Sequence, residues 1–196
     1  MGDDTVRNFG VVIAICGALF VFGGQTFAIW TVGFEIDEGG AWEMSFSADE
    51  MALEYNEDMG EEDETMEYED DDCDCDDIKD FFANLKLMFY ALIGCGIAIA
   101  YLGNSGDIDN LPAVAGLTAV LSVAILAYTF TGLPETFEEE TEIFEMLDED
   151  PAFYIDEEKK VDGVDIHLKA MPYIGFFLPV VSLTLGGLLV KPDLMD

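Results

Sequence analysis

Apolar positions in this chain follow two different rhythms. Four long runs carry almost no charge: Phe9–Trp30, Phe81–Leu102, Leu111–Leu133 and Met171–Val190. Each is close to the ~20 residues that a helix rising ~1.5 Å per residue needs to cross the ~30 Å hydrocarbon core of a bilayer. Residues 9–30, 81–102, 111–133 and 171–190 are therefore expected to be four spans. Between the runs the period falls to two. Val32, Phe34 and Ile36 alternate with Thr31, Gly33 and Glu35; Trp42, Met44 and Phe46 alternate with Glu43 and Ser45; Met51, Leu53 and Tyr55 alternate with Ala52 and Glu54. Such alternation predicts half-buried strands. Ser47-Ala48-Asp49-Glu50 suits a hairpin connection, and Gly39-Gly40 marks a turn before it. Met66 and Tyr68 offer a fourth strand.

The rest of the chain divides accordingly. Residues 1–8 and 191–196 are termini, 31–80 and 134–170 are long polar loops, and 103–110 is a short turn that forces the second and third spans antiparallel. In the second loop, Pro134 precedes Thr136-Phe137-Glu138-Glu139, a capping-box pattern. Phe137, Phe144 and Leu147 then share one face of a predicted short helix that Asp150-Pro151 stops. Phe153–Ile155 and the alternating Val164, Ile166 and Leu168 are expected to form a hairpin or to add strands to the first-loop sheet. The fold expected is a membrane all-α four-helix transmembrane bundle carrying a small antiparallel β-rich domain.

Composition sharpens this picture. Of 196 residues, 51% are hydrophobic, yet the net charge is −35. Those values conflict in a soluble globule and agree in a membrane protein with segregated polar parts. Of 42 Asp and Glu, 22 lie in residues 31–80 and 14 in 133–172, so four spans put nearly all the acid on one side. Residues 56–64 and 69–77 are acidic enough to be mobile or ion-bound. Nucleic acid is excluded as a partner by phosphate repulsion. Counting Lys and Arg alone, with Arg7 and Lys191 on the terminus side against Lys79, Lys159, Lys160 and Lys169, would place the long loops in the cytoplasm. A first helix preceded by Arg7 and the ready translocation of long segments favour the extracellular side, so a multi-pass cell-membrane protein with outer acidic loops is expected. The first run exceeds a signal-peptide core and has no A-x-A-like site after it, so it is expected to be retained as an anchor. The acid excess points to a marine or halophilic microbe, where salt screens self-repulsion.

Helices in lipid associate through close packing, for which small residues at four-residue spacing are suited. Gly10, Ala14 and Ala18 form such a stripe on the first span; Gly94 with Ala98 and Gly96 with Ala100 do so on the second, and Ala115 with Ala119 on the third. Gly186-Gly187 interrupt the fourth. Cys16 and Cys95 read as small packing residues, and His167 as a sheet histidine. Lys86 is placed to snorkel toward the interface.

The most unusual segment is Asp70–Asp77. Cys73 and Cys75 could each pair with another chain, form a local bridge, or bind a soft metal with Asp72, Asp74 and Asp76. A closed zinc site needs four ligands, and the twelve-residue calcium-loop spacing is missing. No cofactor is expected beyond loosely held divalent cations. Spans three and four offer only hydroxyls, and no nucleophile motif or nucleotide fingerprint occurs. The expectation is a non-enzymatic protein.

Trp30 at the helix-to-loop junction, Gly40-Ala41-Trp42, a cysteine pair in the first loop and Lys79 entering the second span together resemble the claudin and peripheral-myelin-protein superfamily. The cysteines stand closer here than in that family, and the second loop is longer and more acidic. The resemblance implies an antiparallel sheet running up from the first helix, with a contribution from the second loop. It also implies lateral or cell-to-cell assembly through that sheet, with acidic residues selecting cations. Trp30, Phe34, Trp42, Met44 and Phe46 are the candidate interaction residues. Partners are expected to be the lipid bilayer and either this chain itself or another membrane protein. The alternatives are an accessory subunit of a channel, transporter or respiratory complex whose acidic loops concentrate cations, and a metal-binding protein using the Cys-Asp-Cys segment.

Overall fold

A computed structural model describes residues 2–36, 40–55, 63–68, 75–106, 109–140, 152–161 and 164–190. Among these lie four α-helices and one six-stranded antiparallel sheet. The helices are α1 (Asp3–Phe22), α2 (Asp76–Ser105), α3 (Leu111–Glu140) and α4 (Leu178–Val190). The strands are β1 (Trp30–Ile36), β2 (Gly40–Phe46), β3 (Glu50–Tyr55), β4 (Glu64–Glu67), β5 (Ile155–Val161) and β6 (Val164–Pro172). Three segments, Asp3–Phe22, Asp76–Ser105 and Leu111–Glu138, are long and apolar enough to cross a membrane, and Ile174–Val190 is a shorter apolar helix. Exposed Val11, Ile15, Leu87, Ile97, Leu117, Val120 and Val123 give the bundle an apolar outside, as lipid contact requires and water does not. These helices mark a membrane protein.

Backbone contact builds the α1–α2 pair. A Cβ added at Gly10 would lie 2.3 Å from Ala100 N, and one at Gly96 would lie 2.5 Å from Ala14 N. Gly17 meets Ile93 and Phe89 in the same way, and Gly103 meets Arg7. Low numbers on α1 meet high numbers on α2, so the two run antiparallel. The α3–α4 seam is looser, with Gly186 facing Ala115 and Ala119. Buried Thr118, Ser122 and Ser182 satisfy their hydroxyls on the carbonyls of Val114, Thr118 and Leu178, so they cost no orphaned polar group in the bundle.

The helix ends differ from the expected ones for identifiable reasons. The first helix stops at Phe22, not Trp30, because Gly23 and Gly24 follow and Gly24 takes a φ of +54°, a left-handed value that glycine tolerates. One 3-10 turn, Gly24–Phe27, then leads into β1. The second helix begins at Asp76, five residues before the apolar run, since Asp76 and Asp77 sit favourably at a helix N-terminus and Ile78 already faces the core. The third does not end at Leu133. It passes through Pro134 to Glu140, despite the hydrogen bond that an interior proline removes. Thr136 consequently caps nothing; its hydroxyl bonds back to Gly132 O at 2.8 Å. Burial of Phe137 against Trp30 and Phe46, with centroids 5.5 and 5.4 Å away, holds the extension in place. The expected helix face at Phe144 and Leu147 lies outside the described residues.

The fourth span shortens because Met171 and Pro172 finish β6, pairing with Thr31 and Trp30. The chain then clings to the link before β1: Tyr173 N donates to Ile29 O and Gly175 N to Ala28 O, at 2.9 and 2.8 Å. A Cβ on Gly175 would stand 2.0 Å from Phe27 O, so this crossing needs glycine.

The strand order is β4-β3-β2-β1-β6-β5. The first loop supplies four strands and the second supplies two, with β6 beside β1. The period-two pattern is realised with Trp30 opposite Phe46, Val32 opposite Met44 and Phe34 opposite Trp42. At the turn between β2 and β3, Ser47 N and Ser47 Oγ both donate to Glu50 O. β4 starts at Glu64, and Tyr68 has already left it, buried and donating its hydroxyl to Ser47 O at 3.2 Å.

Candidate functional site

The sheet sits where the sequence turns back between α1 and α2 and between α3 and α4, so both insertions emerge at one end of the bundle. Alternation then decides what each face carries. Trp30, Val32, Phe34, Trp42, Met44, Phe46, Leu168 and Ala170 share the apolar face through the β1 register. Glu35, Glu43, Glu54, His167 and Lys169 occupy the other.

An aromatic cluster joins the apolar face to the helices. Trp30 is fully buried, with Phe46 at 5.6 Å, Phe137 at 5.5 Å and Phe153 at 6.0 Å between ring centroids. Its indole N–H donates to Phe153 O at 2.9 Å, which satisfies the one polar atom that burial would otherwise strand. Tyr68 stacks on Phe82 of α2 at 5.1 Å, and Phe81 stacks on Tyr128 of α3 at 4.6 Å. Burial, followed by the nearby carboxylates of Glu50 and Asp49, pushes the Tyr68 phenol well above its ordinary range. Polar links reinforce the joint. Gln25 donates to Glu50 O and accepts from Ser45 Oγ, and Lys86 of α2 pairs with Asp49 at the β2–β3 turn.

Of the five candidate interaction residues, Trp30 and Phe46 are therefore interior, and Phe34 is buried beneath Trp42 with centroids 4.3 Å apart. Trp42 and Met44 are half-buried. Trp30 stands inside the protein, with no surface exposed. Of the small-residue stripes, Gly10 and Ala14 meet Gly96 and Ala100, and Ala115 and Ala119 meet Gly186. Gly94 faces away from its neighbours, with nothing within 4 Å of an added Cβ, and Ala18 and Ala98 are half-buried. Gly17, Gly103 and Gly175 belong to the tight contacts as well, and a four-residue period did not point to them.

The polar face holds a shallow recess of ≈ 370 Å³ lined by Glu35, Glu43, Glu54, His167 and Lys169. Gly33 forms its floor, lying between Glu43 and Lys169 in the register. Glu43 stands directly opposite Glu54, a like-charge pairing that costs stability. Lys169, across Gly33, is the compensating charge. His167 Nε2 lies 2.7 Å from Asp156 Oδ1. A second hollow on this side is lined by Glu35, Glu158, Asp165 and His167. The arrangement is acidic and open, suited to attracting cations in a diffuse way.

Asp72, Cys73 and Asp74 lie outside the described residues, as do 56–62 and 69–74 of the acidic stretches. Asp76 is exposed at the start of α2. Cys75 is buried and disulfide-bonded, a state in which its sulfur offers a metal no thiolate. Cys16 and Cys95 are free and buried. Among the described residues no group of three or more His, Cys, Asp and Glu is arranged to hold a metal ion. No protein-family model matches the chain, and no curated protein matches it either.

Proposed function

We propose that this is a non-enzymatic membrane protein that assembles with itself, laterally or between cells, through its acidic sheet domain in the manner of claudin-like proteins. The observation that carries the reading is the aromatic joint around Trp30. It fixes the apolar sheet face to the end of α3, with Tyr68 on Phe82 tying the sheet domain to α2, and leaves the sheet as a platform with its polar face turned outward. A platform of this kind suits contact between proteins better than chemistry on a small substrate. The sheet rises from the first helix and is completed by the second loop, which is the layout the resemblance implies. The long acidic loops lie on the extracellular side in this reading.

A second reading, an accessory subunit that concentrates cations at the mouth of a partner channel or transporter, draws on the recess of Glu35, Glu43 and Glu54. Native-size analysis in mild detergent separates the two. Self-association of the purified protein supports the first. A strictly monomeric particle that co-purifies with one larger complex refutes it in favour of the second.

A further inference from the structure

We infer that β5 is a self-complementary edge at which two copies of this chain join their sheets, antiparallel and centred on Glu158. This rests on the self-assembly reading and names its surface.

A sheet edge presents unpaired backbone donors and acceptors, and natural sheets either block such edges or use them. The two edges here differ. β4 is four residues long and its only charges are the acids Glu64 and Glu67, so a second copy meets a short strand of its own sign. β5 reads Ile-Asp-Glu-Glu-Lys-Lys-Val. Reversed about Glu158, that strand inverts its charges: Asp156 falls opposite Lys160, and Glu157 falls opposite Lys159, each pair occurring twice under the two-fold axis. The faces agree too. Asp156, Glu158 and Lys160 align with Lys169, His167 and Asp165 on the polar side of the sheet, whereas Glu157 and Lys159 align with Leu168 and Ile166 on the apolar side. Partners two or four residues apart keep the same face, as antiparallel pairing demands. The single like-charge meeting is Glu158 with its own copy, on the axis.

Charge across the whole molecule favours the same edge. At a net charge of −35, most surfaces repel a second copy. Within the strands lysine occurs only in β5 and β6, as Lys159, Lys160 and Lys169. Two of the paired residues already have partners that can be shared. Asp156 meets His167 through one of its two carboxylate oxygens. Lys160 bonds both oxygens of Asp165 at 3.0 Å, and an ammonium group has three donors to share. The strand is also held firmly, because Phe153, two residues before it, is stacked and hydrogen-bonded to Trp30.

The test uses the full chain in mild detergent, with two affinity tags to detect mixed pairs. One variant carries Asp156→Lys and Glu157→Lys, the other Lys159→Glu and Lys160→Glu. Each variant alone is expected to lose co-purification of differently tagged copies, and mixing the two is expected to restore it, because their edges are then opposite in sign. Glu158→Cys is expected to give a disulfide-linked dimer on mild oxidation, whereas Glu67→Cys on the far edge is not. Restoration on mixing also shows that both variants fold. Self-association retained by each variant alone overturns the β5 pairing and leaves self-assembly standing through another surface. Failure of the mixture together with no Glu158→Cys crosslink overturns the pairing as well. Wild-type copies that never co-purify overturn both readings.

Discussion

Two glycines, two residues apart on α2, should respond in opposite ways to the same added methyl group. At Gly96 the new Cβ would stand 2.5 Å from Ala14 N, 2.7 Å from Gly10 O and 2.9 Å from Ala14 Cα. All three are backbone atoms, which cannot swing aside as a side chain would. Reaching an ordinary separation of ~3.5 Å requires the α1–α2 seam to open by about 1 Å, a gap that forfeits up to roughly half of each dispersion well along it. Overfilling of this kind costs ~1–3 kcal/mol. Taking about 2 kcal/mol, the melting temperature of Gly96→Ala should fall by about 4–8 °C, at the ~2–4 °C per kcal/mol expected for a chain of this size. At Gly94 nothing lies within 4 Å of the added atom. Gly94→Ala should therefore leave the melt unchanged or raise it, through the ~1 kcal/mol by which alanine exceeds glycine in a helix. Cys16 and Cys95 are buried free thiols, so a thiol-reactive dye reports unfolding in detergent without further labelling. Equal losses for the two variants would refute the seam as described.

Two further perturbations address the joint between sheet and helices. Trp30→Phe keeps a ring but strands the buried Phe153 O, and should cost about 2 kcal/mol, within the ~1–3 kcal/mol of an unsatisfied acceptor; an unshifted thermal midpoint would mean that the indole bond does not anchor the segment before β5. Tyr68 is neutral in the fold, whereas the unfolded chain ionises it near pH 10. Its raised folded value means the stabilisation is fully present below about pH 10 and lost as pH rises beyond it toward the folded value. The advantage of wild type over Tyr68→Phe should therefore be constant below about pH 10 and shrink above it by up to ~1.4 kcal/mol per pH unit, read from melts across the alkaline range. A constant advantage through pH 11 would contradict the burial.

Much of this architecture is visible in the residue order, and the exceptions have local causes. Alternation found β1, β2, β3 and β6, whose apolar residues share one face. It missed β5, which runs Ile155–Val161 through Asp-Glu-Glu-Lys-Lys with no alternating apolar positions, and not over Phe153–Ile155. Small residues found the α1–α2 seam because helices approach closely only where side chains are short. Charge-counting misplaced the helix ends. It ran through the Gly23-Gly24 break, discarded the acid-started first turn of α2, and gave Pro134 authority that the burial of Phe137 overrides. Trp30 was legible as a helix-to-loop junction and a contact residue, and only the arrival of Phe137 from the end of α3 and Phe153 from before β5 makes it interior. The polar recess was hidden for a similar reason. Its carboxylates come from β1, β2 and β3 and its lysine from β6, and no spacing rule links Glu43 to Lys169. The charge symmetry of β5 is written plainly in Ile155–Val161, yet it acquires meaning only once the strand order leaves that element outermost.

The crossing at Ala28–Ile29 and Tyr173–Gly175 also has a mechanical implication. Both connectors from helix to sheet are hydrogen-bonded to each other there, and Gly175 packs directly on the Phe27 and Ala28 carbonyls. Thinner or thicker bilayers re-orient spanning segments. A change in the lean of α1 would therefore rotate the whole sheet as one body instead of being absorbed in a hinge. Membrane thickness would then set the angle at which the domain is offered to whatever it meets.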